Sequence, residues 1–188
     1  MLPAIERSKK LPVVLSFREV KQLLKAPKLL KHRLVLALLY GCGLRCFELC
    51  NLQLKDLDFD RMMLHVRQGK GRKDRYVPLS RMQIRGLKTY LAAENPCTWC
   101  FTGNNTEGRP VPLSTQGVRW IVREARKHSG IQKEVTTHSL RHSYATHLLE
   151  MGLDIMSVKD LLGHADIQTT LTYLHVAQLG RQSLSVHW

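Results

Sequence analysis

His138-Ser139-Leu140-Arg141, then Gly163-His164, then Tyr173: these pieces of the last third of the chain decide how the rest is read. They place two imidazoles (His138 and His164), a guanidinium (Arg141) and a phenol (Tyr173) on consecutive short helices. His138 and Arg141 are three apart, so one helical turn points both the same way. A guanidinium is a planar fork that grips two phosphate oxygens and stays charged at any working pH. His164 follows a glycine at an expected helix end, where a tight turn aims it back towards a pocket. A phenol has a reference pKa of about 10 and attacks phosphorus only when cations or a base assist it. Each piece alone is weak, because many surface helices carry H-x-x-R and five tyrosines occur here. Tyr173 is singled out by its place beside an Arg/His cluster.

Working outward, Lys70 lies in Gly69-Lys70-Gly71-Arg72-Lys73-Asp74, a glycine-punctuated turn flanked by Arg67 and Arg75. A basic hairpin of this kind touches DNA phosphates, and the glycines let its tip approach a groove closely. An ammonium there could protonate a departing alkoxide. Short strands are expected at 57–59, 63–66 and 75–78. Helices are expected after Ser16, which forms a capping box with Glu19, and then over 31–49 with a break at Gly41-Cys42-Gly43. Others follow over 81–93, from a Ser114 cap to about His128, and over 139–151, 155–162 and 167–176. Residues 95–114 read as a loop. The fold class is α+β, mainly helical with a small antiparallel three-stranded sheet.

Lys and Arg number 29 against 15 for Asp and Glu, a net charge of +14. That excess implies a polyanionic partner, with nucleic acid the first choice and an anionic membrane surface the second. No run of 18 apolar residues exists to span a bilayer, and the first residues lack an apolar signal core. The odd number of cysteines fits a reducing cytoplasm.

Five segments, in order, resemble the boxes of the tyrosine recombinase (phage integrase) family: Gly43-Leu44-Arg45-Cys46-Phe47-Glu48-Leu49, Gly69 to Arg75, His138 to His142, Leu161-Leu162-Gly163-His164 and Thr172-Tyr173. The general look is that of bacterial integrases from mobile elements or chromosome-dimer resolution systems. The resemblance implies cleavage and rejoining of double-stranded DNA through a 3′-phosphotyrosyl link. It makes Tyr173 the nucleophile, Arg45 and Arg141 the grip on the non-bridging oxygens, and His164 a further donor. His138 accepts the tyrosine proton, Lys70 is the general acid, and Glu48 orients the pocket. Arg67, Arg72, Lys73 and Arg75 are the expected DNA contacts. Neither a cofactor nor a metal is implied, because the covalent link conserves the phosphodiester's energy. The implied assembly is a homotetramer on DNA, open to exchange of C-terminal tails, in a bacterial cytoplasm and at the nucleoid.

The implied organisation is a linker over 1–12, a catalytic domain over 13–176 and a short tail over 177–188, with the family's N-terminal core-binding domain absent. Two other functions use similar parts: relaxation of supercoils, as by type IB topoisomerases, and regulation by a truncated DNA-binding relic. Cys97-Thr98-Trp99-Cys100 has the spacing of half a zinc site, but no second pair matches it. Cys42, Cys46 and Cys50 recur every fourth residue, as a core-facing stripe would. His142 and His147 are lesser candidates on the helix of Arg141.

Overall fold

The computed structural model describes residues 12–67, 74–105 and 107–184. Helix α1 (Phe17–Lys25) starts where the Ser16 hydroxyl accepts from the Glu19 amide and the Glu19 carboxylate accepts from the Ser16 amide. It lays Val20 and Leu23 against α2 (Leu30–Gly41). Helix α2 buries Leu34, Val35, Leu36, Leu38 and Leu39, apolar on every side from Leu34 to Leu39, and so forms the centre of the domain. Around it pack α1, α3 (Cys46–Cys50), α4 (Arg81–Glu94), α5 (Thr115–Ser129) and α6 (Thr137–Glu150).

Between α3 and α4 runs the antiparallel sheet β1 (Leu57–Asp58), β2 (Met63–Val66) and β3 (Arg75–Pro78). Its register pairs Leu57 with Leu64, Leu64 with Val77, and Val66 with Arg75. Strand alternation turns Leu64, Val66, Val77 and Arg75 inward together. The segment expected to be a loop holds a second hairpin, β4 (Thr102–Asn104) with β5 (Pro110–Pro112). Its three-residue strands contain Gly103, Pro110 and Pro112, residues that weaken any strand signal in sequence.

The last third carries α6, α7 (Ile155–Leu162) and α8 (Ile167–Leu184), which pack on one another. Tyr144, Ala145, Leu149, Val158, Leu162, Tyr173 and Ala177 form a second core there. Helix α8 runs on to Leu184, whereas the sequence ends it near 176; Ala177 packs into the second core and carries the helix past that point. The three cysteines face the core as expected, Cys42 and Cys50 buried in it and Cys46 packed against it, but they do not share one helix. The chain breaks at Gly43 (φ 58°), so Cys42 ends α2 while Cys46, half-buried, opens α3. No helix among the described residues is long and apolar enough to cross a membrane.

Candidate active site

The turn between α2 and α3 builds the first wall. A Cβ on Gly43 would sit 2.5 Å from the Tyr144 ring, so only glycine fits this backbone. The turn delivers Arg45 to the N-cap of α3, with Glu48 one turn on. Glu48 accepts from the Arg45 amide and from Arg45 Nη1, both at 2.8 Å. It also accepts from Arg75 Nη1 and Nη2, both at 2.9 Å. Burial pushes the Glu48 carboxyl up, but the hydrogen bonds and charge of Arg75, the Arg45 amide and the charge of Arg141 outweigh it and hold the group at about 2.

Arg75 is therefore not a surface DNA contact. Its side chain is 7% exposed, and Nε donates to the Leu161 carbonyl at 2.7 Å while both Nη groups face Glu48. It shares the inward pleat of Val77, and that parity turns it away from the outer face of β3. Arg67 remains half-exposed and pairs with Asp56 at 2.5 Å. Lys70, Arg72 and Lys73 lie outside the described residues.

Arg141 comes from the second turn of α6, which is capped by Thr136 and buried on most sides. It spans the pocket, donating to the Gly43 carbonyl and, at 2.6 Å, to the Leu162 carbonyl. Burial and the charge of Arg45 lower its pKa to about 9, which leaves it cationic at neutral pH. The C-terminus of α7 thus meets three guanidinia on successive carbonyls: Arg75 on Leu161, Arg141 on Leu162, and Arg45 at a long 3.5 Å on Gly163. Helix C-termini leave such carbonyls unpaired and carry negative partial charge, so this end is a natural seat for cations.

Gly163 caps α7 in the left-handed conformation (φ 64°) and turns the chain so that His164 enters the pocket. His164 Nδ1 lies 2.9 Å from the Thr170 hydroxyl, and its ring stacks 6.0 Å from that of Tyr173. Tyr173, on α8, is 4% exposed. Burial raises its pKa, and Arg141 and Arg45 pull in the opposite direction.

The Tyr173 hydroxyl lies 2.8 Å from His142 Nδ1. Burial, His138 and Arg141 lower the His142 pKa to about 4, so the imidazole is neutral and accepts from the phenol. His138 was expected at that place. It is exposed and one turn further out, its ring 6.4 Å from that of His142. The two histidines share one face of α6 a turn apart, so periodicity alone does not separate them; Tyr173 of α8 meets the half-buried His142 and leaves His138 exposed. His147 lies elsewhere, stacked on Phe17 and bonded to Tyr40.

The buried imidazoles set a pH dependence. Burial first, then the charges of Arg141, Arg45 and Arg75, hold His164 near 4, as burial, His138 and Arg141 hold His142, against about 6.5 unfolded. Between those values the unfolded chain binds more protons, so stability falls as pH drops from about 6.5 to about 4. Glu48 adds a further loss as pH falls from about 4.3 towards 2. Melting temperatures at constant ionic strength should decline from pH 7 to pH 4.5; a flat profile would contradict the assignment of neutral, buried imidazoles.

The Phage integrase family model matches residues 13–179. The chain is 42% identical over 176 residues to the tyrosine recombinase XerA of Thermococcus kodakarensis, covering 93% of this chain and 61% of that protein. It is 43% identical over 178 residues to a tyrosine recombinase of Thermosipho africanus, covering 93% and 60%. The chain thus spans about three fifths of the length of these curated relatives. The crystal structure of XerA recombinase superposes with a TM-score of 0.84 at 33% identity, covering all of this chain and 68% of that one. A post-cleavage complex of the XerH site-specific recombinase with a palindromic difH substrate gives 0.80 at 26% identity, covering 95% and 54%.

Proposed function

Because the chain belongs to the phage integrase family, we propose that it is a site-specific recombinase that cuts and rejoins double-stranded DNA, with residues 13–176 as its catalytic unit. The observation that carries this is the Tyr173 hydroxyl, bonded to a neutral imidazole inside a pocket framed by Arg45, Arg141 and His164. Tyr173 Oη attacks the scissile phosphorus, the bond to the 5′-oxygen breaks, and a 3′-phosphotyrosyl link remains. The phenol proton passes to His142, and His138, stacked beside it and exposed, hands it to solvent. Arg141 commits two of its five N–H groups to carbonyls and keeps the others for phosphate oxygens. With Arg45 and His164 it stabilises the charge that grows on those oxygens. Lys70 gives a proton to the departing 5′-oxygen.

In this reading Arg67, Arg72 and Lys73 contact the DNA backbone. The working assembly is a homotetramer in which neighbours exchange the C-terminal end of α8. An apolar groove of about 1100 Å³ between α1, α2 and α4, lined by Phe17, Leu24, Leu30 and Met82, supplies a surface to receive it.

The test is covalent capture. Nicked duplexes with randomised cores are incubated with the protein, and adducts that survive denaturation are isolated and sequenced. Recovery of one enriched site supports the proposal, and absence of any adduct overturns it. On that site Lys70→Ala should slow cleavage by about 10²–10⁴-fold, the usual worth of a general acid. Replacing the scissile 5′-oxygen by sulfur, a better leaving group, should restore most of the rate. A deficit unchanged by sulfur would remove Lys70 from that role.

A further inference from the structure

Arg75 is the one guanidinium in this pocket with every nitrogen turned inward. Its two Nη groups form a parallel, fork-to-fork pair with the two Glu48 oxygens. Arg45 Nη1 must then share Oε1, already taken by Arg75, and its Nη2 has only the long contact to Gly163. One carboxylate stands between two guanidinia and belongs mainly to Arg75. Without Arg75, the same buried carboxylate would have Arg45 as its nearest cation and could close both oxygens around it. A buried carboxylate draws hard on whatever cation is left, because an unpaired buried charge is costly.

We infer that Arg75 is a positioning residue for the phosphate grip: by saturating Glu48 and tying it to the end of α7, it leaves the Arg45 fork available to the scissile phosphate. This rests on the proposed reading that Arg45 grips that phosphate. Arg75 touches no reacting atom in this scheme and acts through Glu48. Its place at the first residue of β3 also ties that strand to α7, which packs on it.

The experiment compares Arg75→Gln, Arg75→Lys and wild type on two DNAs. One carries an ordinary scissile phosphodiester. The other carries a methylphosphonate there, with one charged non-bridging oxygen replaced by a methyl group. Arg75→Gln should form adduct at least about 10-fold more slowly than wild type on the phosphodiester, towards the range for losing a transition-state donor. On the methylphosphonate, which has no charge for Arg45 to neutralise, the ratio to wild type should shrink to about threefold or less. Sulfur at the 5′ position should not restore Arg75→Gln, in contrast to Lys70→Ala. Arg75→Lys keeps the charge but not the fork, so its deficit on the phosphodiester should be smaller and should shrink likewise. It keeps the test readable if the glutamine variant does not melt cooperatively. An equal deficit on both DNAs, or none, overturns the inference. If wild type itself forms no adduct, it is the recombinase reading that falls.

Discussion

Tyr173→Phe abolishes the covalent protein–DNA adduct while DNA affinity stays at the wild-type level. The ring remains where it is, packed with Leu162 and Ala177 in the second core, so α8 keeps its seat. Only the hydroxyl is lost, and with it the bond to His142 Nδ1. That bond is worth about 1 kcal/mol in net stability, with some added cost for the unpaired imidazole nitrogen. The melting temperature should therefore move by only a few degrees. Denaturing gels of nicked substrate read the adduct, and mobility shifts under native conditions read binding. Adduct formed by the phenylalanine variant would assign the nucleophile to another residue.

Arg141→Ala is expected to lose both activity and stability. The side chain bridges the Gly43 turn and the end of α7, and its removal leaves two buried carbonyls without their donor. Each unsatisfied group costs roughly 1–3 kcal/mol, so thermal unfolding should show a drop well beyond that of Tyr173→Phe. Cleavage should fall by about 10²–10³-fold or more, the usual effect of removing one transition-state donor. Arg141→Lys separates the two roles. An ammonium keeps the charge but cannot span both carbonyls and hold phosphate at once, so stability should recover further than rate. A lysine variant with full cleavage activity would show that charge alone suffices.

The helical frame was largely legible, because its signals are local. Ser16 and Ser114 each cap a helix through a side-chain oxygen, and Gly163 ends α7 with a positive φ. The box residues Arg45, Arg141, His164 and Tyr173 were likewise readable by order and spacing, and the structure brings them to one pocket. What failed depended on contacts between distant parts of the chain. Arg75 looks like Arg67 and Arg72 in sequence, and only its strand parity with Val77 and its distance to Glu48 mark it as interior. His142 and His138 differ by one turn of α6, and which of them meets Tyr173 is decided by where α8 crosses. The β4–β5 hairpin and the last turns of α8 escaped because glycine and proline in the former, and Gly180 in the latter, speak against regular structure locally.

The arrangement at the end of α7 has a mechanical consequence. Arg45, Arg75 and Arg141 arrive from a turn, a strand and a helix far apart in the chain, yet all three are moored to three consecutive carbonyls at the end of one short helix, the last two of α7 and that of its cap Gly163. The pocket is assembled around a single pier. A displacement of α7 by one turn, about 5.4 Å, would cast off all three moorings together, so damage to this helix disarms the pocket as a unit rather than one arginine at a time.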